Sequence, residues 1–161
     1  MSKIKNKPIF ILILLFSVFA LIAAYFIQYV LKHQPCNLCL IERIPYFFSI
    51  TVISIYLFTE KFEKLTLITL SLIFFSATIV AFYHFGIEQG FIKESLVCDL
   101  SDEIKNLSKE ALLNQLKTMP VSCKNVTFKI FGLSLATFNI FISLILGGIT
   151  TKLFLTYAKN R

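Results

Sequence analysis

A chain of 161 residues that is 57% hydrophobic, with 18 Phe and a mean hydropathy of +0.77, is too apolar for an ordinary soluble domain, which lies nearer ~45–50% apolar. Its formal net charge of +7 is spread over the ends of apolar runs. That pattern reports on membrane topology and calls for no nucleic-acid partner.

The first apolar run, 8–31, follows Lys3, Lys5 and Lys7. Small residues at Ala20, Ala23 and Ala24 offer cleavage positions. The run nevertheless continues past the ~7–15 apolar residues of a secretory signal, so it is expected to stay as a span. The second run is apolar only from Ile44 to Thr59. A ~30 Å hydrocarbon core needs about 20 helical residues, so this helix is expected to begin earlier, near the cysteine-bearing segment. Runs 65–85 and 130–151 are long enough as they stand. The expected fold is all-α: one four-transmembrane-helix bundle over 1–161, with spans near 8–31, 40–59, 65–85 and 130–151. Two loops, 32–43 and 86–129, then emerge on the same side. Each side carries eight Lys and Arg, but six of those on the loop side fall in the long 86–129 segment. Long loops count weakly, so both termini are expected in the cytoplasm and the two loops outside it.

All four cysteines fall in those loops: Cys36 and Cys39 in the first, Cys98 and Cys123 in the second. An oxidising compartment lets disulfides persist there. Four cysteines allow three pairings, and local spacing favours Cys36–Cys39 and Cys98–Cys123. A Cys-x-x-Cys ring closes too few residues to stabilise much by chain entropy, so its usual use is chemical. The 98–123 pair closes a larger loop and, read as a staple, is worth about 3 kcal/mol. Zinc is a weaker reading, because no second short Cys or His pair accompanies Cys36 and Cys39.

Cys39 is the better placed for reactivity if the second helix starts near Leu38. The first turn favours a thiolate, and Arg43 four residues on would add a cation on the same face. Pro45 opposes this, since it suits a helix that starts at Ile44 and would kink an earlier one. The plain alternative for Arg43 is an interfacial anchor, paired with Glu42.

Pro35-Cys36-Asn37-Leu38-Cys39-Leu40-Ile41-Glu42-Arg43 resembles the Pro-Cys-x-Leu-Cys-x-x-Glu-Arg signature of the disulfide bond formation protein B (DsbB) family. The likeness extends to four spans, a short first outer loop and a long second one with a separated cysteine pair. It implies a quinone-dependent membrane thiol oxidoreductase of the bacterial inner membrane, with both cysteine loops periplasmic. Cys98 would accept a soluble thioredoxin-like, DsbA-type oxidant, and Cys123 would pass electrons to Cys36. Cys39 would then be left as a thiolate beside a quinone (ubiquinone or menaquinone). Arg43 matches the family's arginine that supports quinone binding, and His84 resembles its histidine near the quinone. The plain reading of His84 is an interfacial residue among Phe82, Tyr83 and Phe85, and His33 reads as solvated.

In the long loop, Ser101-Asp102-Glu103 precedes Ile104, Leu107, Ala111 and Leu112 at helical spacing. This predicts a short amphipathic helix on the outer leaflet or a plain solvated one. Asn125-Val126-Thr127 fits a glycosylation sequon, a pattern too short to carry weight. Two other functions compete. Vitamin K epoxide reductase-like proteins share the cysteine inventory, but their Cys-x-x-Cys follows the loop pair. A disulfide-stapled membrane scaffold would leave the Cys-x-x-Cys and Arg43 unexplained.

Overall fold

The computed structural model describes residues 6–93, 123–124, 129–130 and 132–159, and among these it has five helices and one minimal hairpin. Helix α1 is Lys7–Tyr29, α2 Asn37–Ile41, α3 Ile44–Thr59, α4 Glu63–Glu88 and α5 Leu135–Lys159. Strands β1 (Lys129–Ile130) and β2 (Leu133–Ser134) pair antiparallel ahead of α5. Four stretches, Lys7–Tyr29, Asn37–Thr59, Glu63–Glu88 and Leu135–Lys159, are long and apolar enough to cross a membrane.

The second stretch joins the short α2 to α3 through Glu42 and Arg43. Cys36 caps α2: its carbonyl accepts from Leu40 N–H and its Sγ from Cys39 N–H at 3.3 Å. The cap lets the helix begin at Asn37, three residues ahead of the expected 40. Pro45 occupies the first turn of α3, where its missing N–H costs no helix bond, so the helix is interrupted just before it. Helix α4 stops in a Schellman motif. Gly90, at φ +78°, donates to Ile87 O, and Phe91 N–H reaches Gly86 O at 2.9 Å. Helix α5 starts and ends later than the 130–151 run. Gly132, at φ +82°, turns the hairpin that occupies 129–134, and Ser134 Oγ then caps Thr137 N–H. At its other end α5 continues through Lys152, whose long side chain is exposed.

The residue distribution is that of a bundle solvated by hydrocarbon. Phe10, Ile53, Leu67, Leu70 and Phe74 are fully buried, and so are Ser17, Ser49, Ser143 and Thr150. The outward faces carry Leu12, Leu15, Phe19, Ile22 and Phe58. Small polar residues inside and large apolar ones outside is the arrangement of helices packed within lipid, where a hydroxyl needs an internal partner. Ser49 Oγ accordingly donates to Ser17 Oγ across α3 and α1 at 3.0 Å. Helix α4 lies along α5, and α3 packs on both α1 and α4. At Gly147 on this contact a Cβ would meet Phe74 and Phe75 at an ordinary 3.6–3.7 Å, so the α4–α5 packing does not depend on glycine there.

Successive long helices run antiparallel, and this sorts their ends. At one end Lys7 meets Glu60 and Asn6 meets Glu63. At the other, the end of α1, the start of α2–α3, the end of α4 and the start of α5 converge. Cys36, Leu38, Ile87 and Cys123 pack there as a small buried cluster.

Candidate functional site

Capping geometry fixes the two local sulfurs. With Cys36 as N-cap and Cys39 in the first turn of α2, their Sγ atoms lie 2.7 Å apart, both as free cysteines. Cys123 is disulfide-bonded and buried in the same cluster as Cys36. Cys98 lies outside the described residues, as do the segment 101–112 and the sequon at 125–127.

Helix α4 brings His84 to Cys36, with Nε2 at 3.5 Å from Sγ. His84 is only 2% exposed, so it is no belt residue. Its Nδ1 faces Glu42 Oε1 at 2.7 Å. A carboxylate takes the Nδ1 proton, which leaves Nε2 of the neutral ring as an acceptor turned toward the Cys36 thiol. Glu42 is held in turn: Asn139 Nδ2 donates to its Oε2 at 2.9 Å, and Tyr46 O–H donates to Asn139 Oδ1 at 2.6 Å. Four helical segments thus contribute to one buried polar chain from Cys36 to Tyr46. Glu88, one turn beyond His84, places Oε1 3.5 Å from Nε2, while its buried Oε2 has no hydrogen-bond partner among the described residues.

The pairing of Glu42 with Arg43, the plain alternative in the sequence, does not occur. Glu42 turns inward to His84, and Arg43 turns to α1, donating to Gln28 Oε1 at 2.6 Å with its guanidinium 5.0 Å over the Tyr25 ring. The cause is the break between α2 and α3. Arg43 N–H bonds Leu40 O rather than Cys39 O, a tighter turn that rotates Arg43 off the helix face of Cys39. The side chain closest to the sulfurs is therefore His84, and the sulfur it touches is Cys36. The Cys36 thiol is pulled down to about 4: its hydrogen bond with Cys39 does most of this, His84 adds to it, and burial opposes it.

A cavity of about 380 Å³ opens beside these groups. Cys36, Cys39, Arg43, His84, Glu88 and Cys123 line its polar end, and Phe16, Phe19, Ala20 and Ile142 its flanks. A flat apolar ring with polar oxygens at its edge, such as a quinone, fits this division. The flanks take the ring, while the Arg43 guanidinium offers hydrogen-bond donors.

Of the residues singled out in the sequence, Cys36, Cys39, Glu42, Arg43, His84 and Cys123 share this cavity wall, and so does His33, which is half-buried rather than solvated. Glu42 was visible in the signature and as a candidate partner for Arg43. Asn139, Tyr46 and Gln28 carried no signal, being single polar letters within apolar runs, and Glu88 fell in the expected loop 86–129.

A four-span helical protein with a Cys-x-x-Cys pair set against a buried histidine, and a disulfide-bonded cysteine packed beside it, belongs to the membrane thiol–disulfide proteins. The family can be stated. The model of disulfide bond formation protein DsbB matches residues 6–153, and the chain belongs to the DsbB family. It is also similar to an uncharacterized protein of Rickettsia prowazekii (strain Madrid E), at 29% identity over 147 residues, covering 90% of this chain and 86% of that one. No solved structure matches the chain.

Proposed function

We propose that this protein is a quinone-dependent protein-disulfide oxidoreductase that reoxidises a DsbA-type dithiol in the periplasm of a bacterial cell. It would act from the inner membrane, as one four-span domain with both termini cytoplasmic. The observation that carries the reading is the shared wall of one cavity, where Cys36 and Cys39, backed by His84, meet Arg43 on one side and disulfide-bonded Cys123 on the other.

The residues divide the work as follows. Cys98 accepts the partner's attacking thiolate in a mixed disulfide, which releases Cys123 as a thiolate. Cys123 attacks Cys36 of the Cys36–Cys39 disulfide, and Cys39 leaves with the electron pair. The partner's second thiolate then attacks its own mixed-disulfide sulfur and departs oxidised, releasing Cys98. Cys98 attacks Cys123, restoring the loop disulfide and freeing Cys36. The pair Cys36 and Cys39 now holds two electrons as thiolates and must give them up to close again, and the two protons that left the partner's thiols go to the same acceptor. His84 Nε2 can hold one of those protons beside the Cys36 thiolate, and Glu42, fixed by Asn139, keeps the ring oriented for it. A bound quinone supplies the acceptor of two electrons and two protons. Arg43, anchored by Gln28 and Tyr25, holds it at the polar end of the cavity, and the apolar flanks exclude water.

The test follows quinone absorbance in detergent with a reduced thioredoxin-like oxidant as electron donor. Catalytic quinone loss is expected with the full chain and none with Cys39→Ser, while partner exchange at Cys98 and Cys123 persists. Trapping of the partner on Cys36 in Cys123→Ala protein would overturn the order of transfer, and absence of turnover would overturn the quinone reading.

A further inference from the structure

Cys36, Cys39 and His84 present two sulfurs and one imidazole nitrogen that all lie within 4.8 Å of one another. The sulfur–nitrogen spacing matches one edge of a small coordination tetrahedron. With ~2.3 Å metal–sulfur and ~2.0–2.1 Å metal–nitrogen bonds, a sulfur–nitrogen edge is about 3.5 Å, and Cys36 Sγ lies 3.5 Å from His84 Nε2. Glu88 Oε1 stands 3.5 Å from the same nitrogen, a buried carboxylate beside the three donors.

Two features beyond the donor list point to a ligand. The outward nitrogen of His84 is held by Glu42, which is the carboxylate–histidine–metal arrangement that fixes a ligating imidazole. Glu88 is 5% exposed at its side chain, lines the same cavity, and leaves Oε2 without a partner among the described residues. The sequence argued against zinc because no second short Cys or His pair accompanies Cys36 and Cys39, yet folding supplies the nitrogen from α4. Only the Cys36–Cys39 contact is too short, at 2.7 Å. The sulfurs must part by about 1 Å to reach a tetrahedral edge, which free thiolates can do and a disulfide cannot.

We propose that the reduced site captures one thiophilic divalent cation of the zinc class through Cys36, Cys39 and His84, with a solvent molecule completing the tetrahedron. Capture is redox-gated, because the disulfide form has no thiolate pair to offer. Binding ties up the sulfur lone pairs that would form the disulfide, so the cation holds the protein reduced. The block on turnover rests on the function proposed above; the binding itself does not.

The experiment is a titration of the chelator-treated, dithiol-reduced full chain with Co²⁺ and then Zn²⁺. One Co²⁺ per chain is expected, with thiolate-to-cobalt charge-transfer absorption and tetrahedral ligand-field bands, bleached when Zn²⁺ displaces it. The same protein with Cys36–Cys39 oxidised should show neither band. His84→Gln and Cys36→Ser should each weaken Co²⁺ binding at least 10-fold. Equal binding by oxidised and reduced protein, absence of the charge-transfer band, or binding untouched by His84→Gln overturns the site. Zn²⁺ inhibition of quinone turnover, reversed by chelator, is expected in parallel. Failure of turnover in chelator alone would strike the proposed function and leave the binding result standing.

Discussion

At the end of the bundle where α1 begins, Lys7 reaches Glu60 through side chains that are 44% and 66% exposed. Where α1 stops, Glu42 and His84 meet with 8% and 2% of their surface exposed, and Asn139 and Tyr46 close the chain behind them. An exposed pair is screened and loses side-chain freedom, so it contributes little. A buried pair has surrendered its hydration and depends wholly on its partners. One end can change its polar residues cheaply; the other holds groups whose removal strands their neighbours.

The largest effect is therefore expected at Glu42. Glu42→Ala leaves His84 Nδ1 and the Asn139 amide buried without their acceptor, and should cost about 3–5 kcal/mol. Thermal unfolding in detergent measures this. Glu42→Gln keeps an oxygen for one partner and should lose less, about 1–3 kcal/mol. A Glu42→Ala protein as stable as the parent would mean that the buried end is no more interdependent than the exposed one.

The next effect is on pH dependence and separates the two sulfurs. A thiolate held at about 4 is present above that pH and lost as pH falls through it, so alkylation of Cys36 in the reduced protein should be half-maximal near pH 4. Cys39→Ala removes the hydrogen bond that lowers Cys36 most, and should move the midpoint up furthest. His84→Gln should move it up by less. An unmoved profile in both variants would remove the electrostatic link between Cys36 and its neighbours.

Arg43 gives a smaller and more selective effect. Because its guanidinium is committed to Gln28 and Tyr25, Arg43→Met should raise the KM for quinone about 10-fold, roughly 1.4 kcal/mol of binding, and leave the Cys36 alkylation profile in place. A shifted profile would return Arg43 to the sulfurs.

The contrast between the ends also sets what could be read from the chain. Four spans were legible because hydrocarbon demands long apolar runs, and the Cys-x-x-Cys with its arginine was legible because the motif is local. Helix boundaries slipped where single residues decide them. Gly132 and Ser134 delayed α5 to Leu135, and the Cys36 cap advanced α2 to Asn37. The network from Cys36 to Tyr46 was not legible, since it depends on how α3, α4 and α5 rotate about their axes. Runs that are apolar on every face carry almost no periodic signal for that rotation. His84 was reached through family resemblance, and Glu42 was paired with the wrong neighbour because adjacency in sequence is a poor guide at a helix break.

The exposed end supplies the control. Lys7→Ala removes the contact with Glu60, and the Asn6–Glu63 hydrogen bond at 2.8 Å still ties α1 to the start of α4. The cost should stay near or below about 0.5 kcal/mol and shrink further in salt. Glu60 and Phe62 hold left-handed backbone in this turn, at φ 51° and 62°. Each costs on the order of 1 kcal/mol in an L-residue, so the strain in the turn outweighs the ion pair above it. Phe62→Gly, which removes an exposed ring and that strain, should therefore leave stability unchanged or raise it by up to about 1 kcal/mol. Neither variant should move the Cys36 alkylation profile. If Lys7→Ala did, the two ends would be coupled through α1, and the separation of a tolerant end from a dependent one would fail.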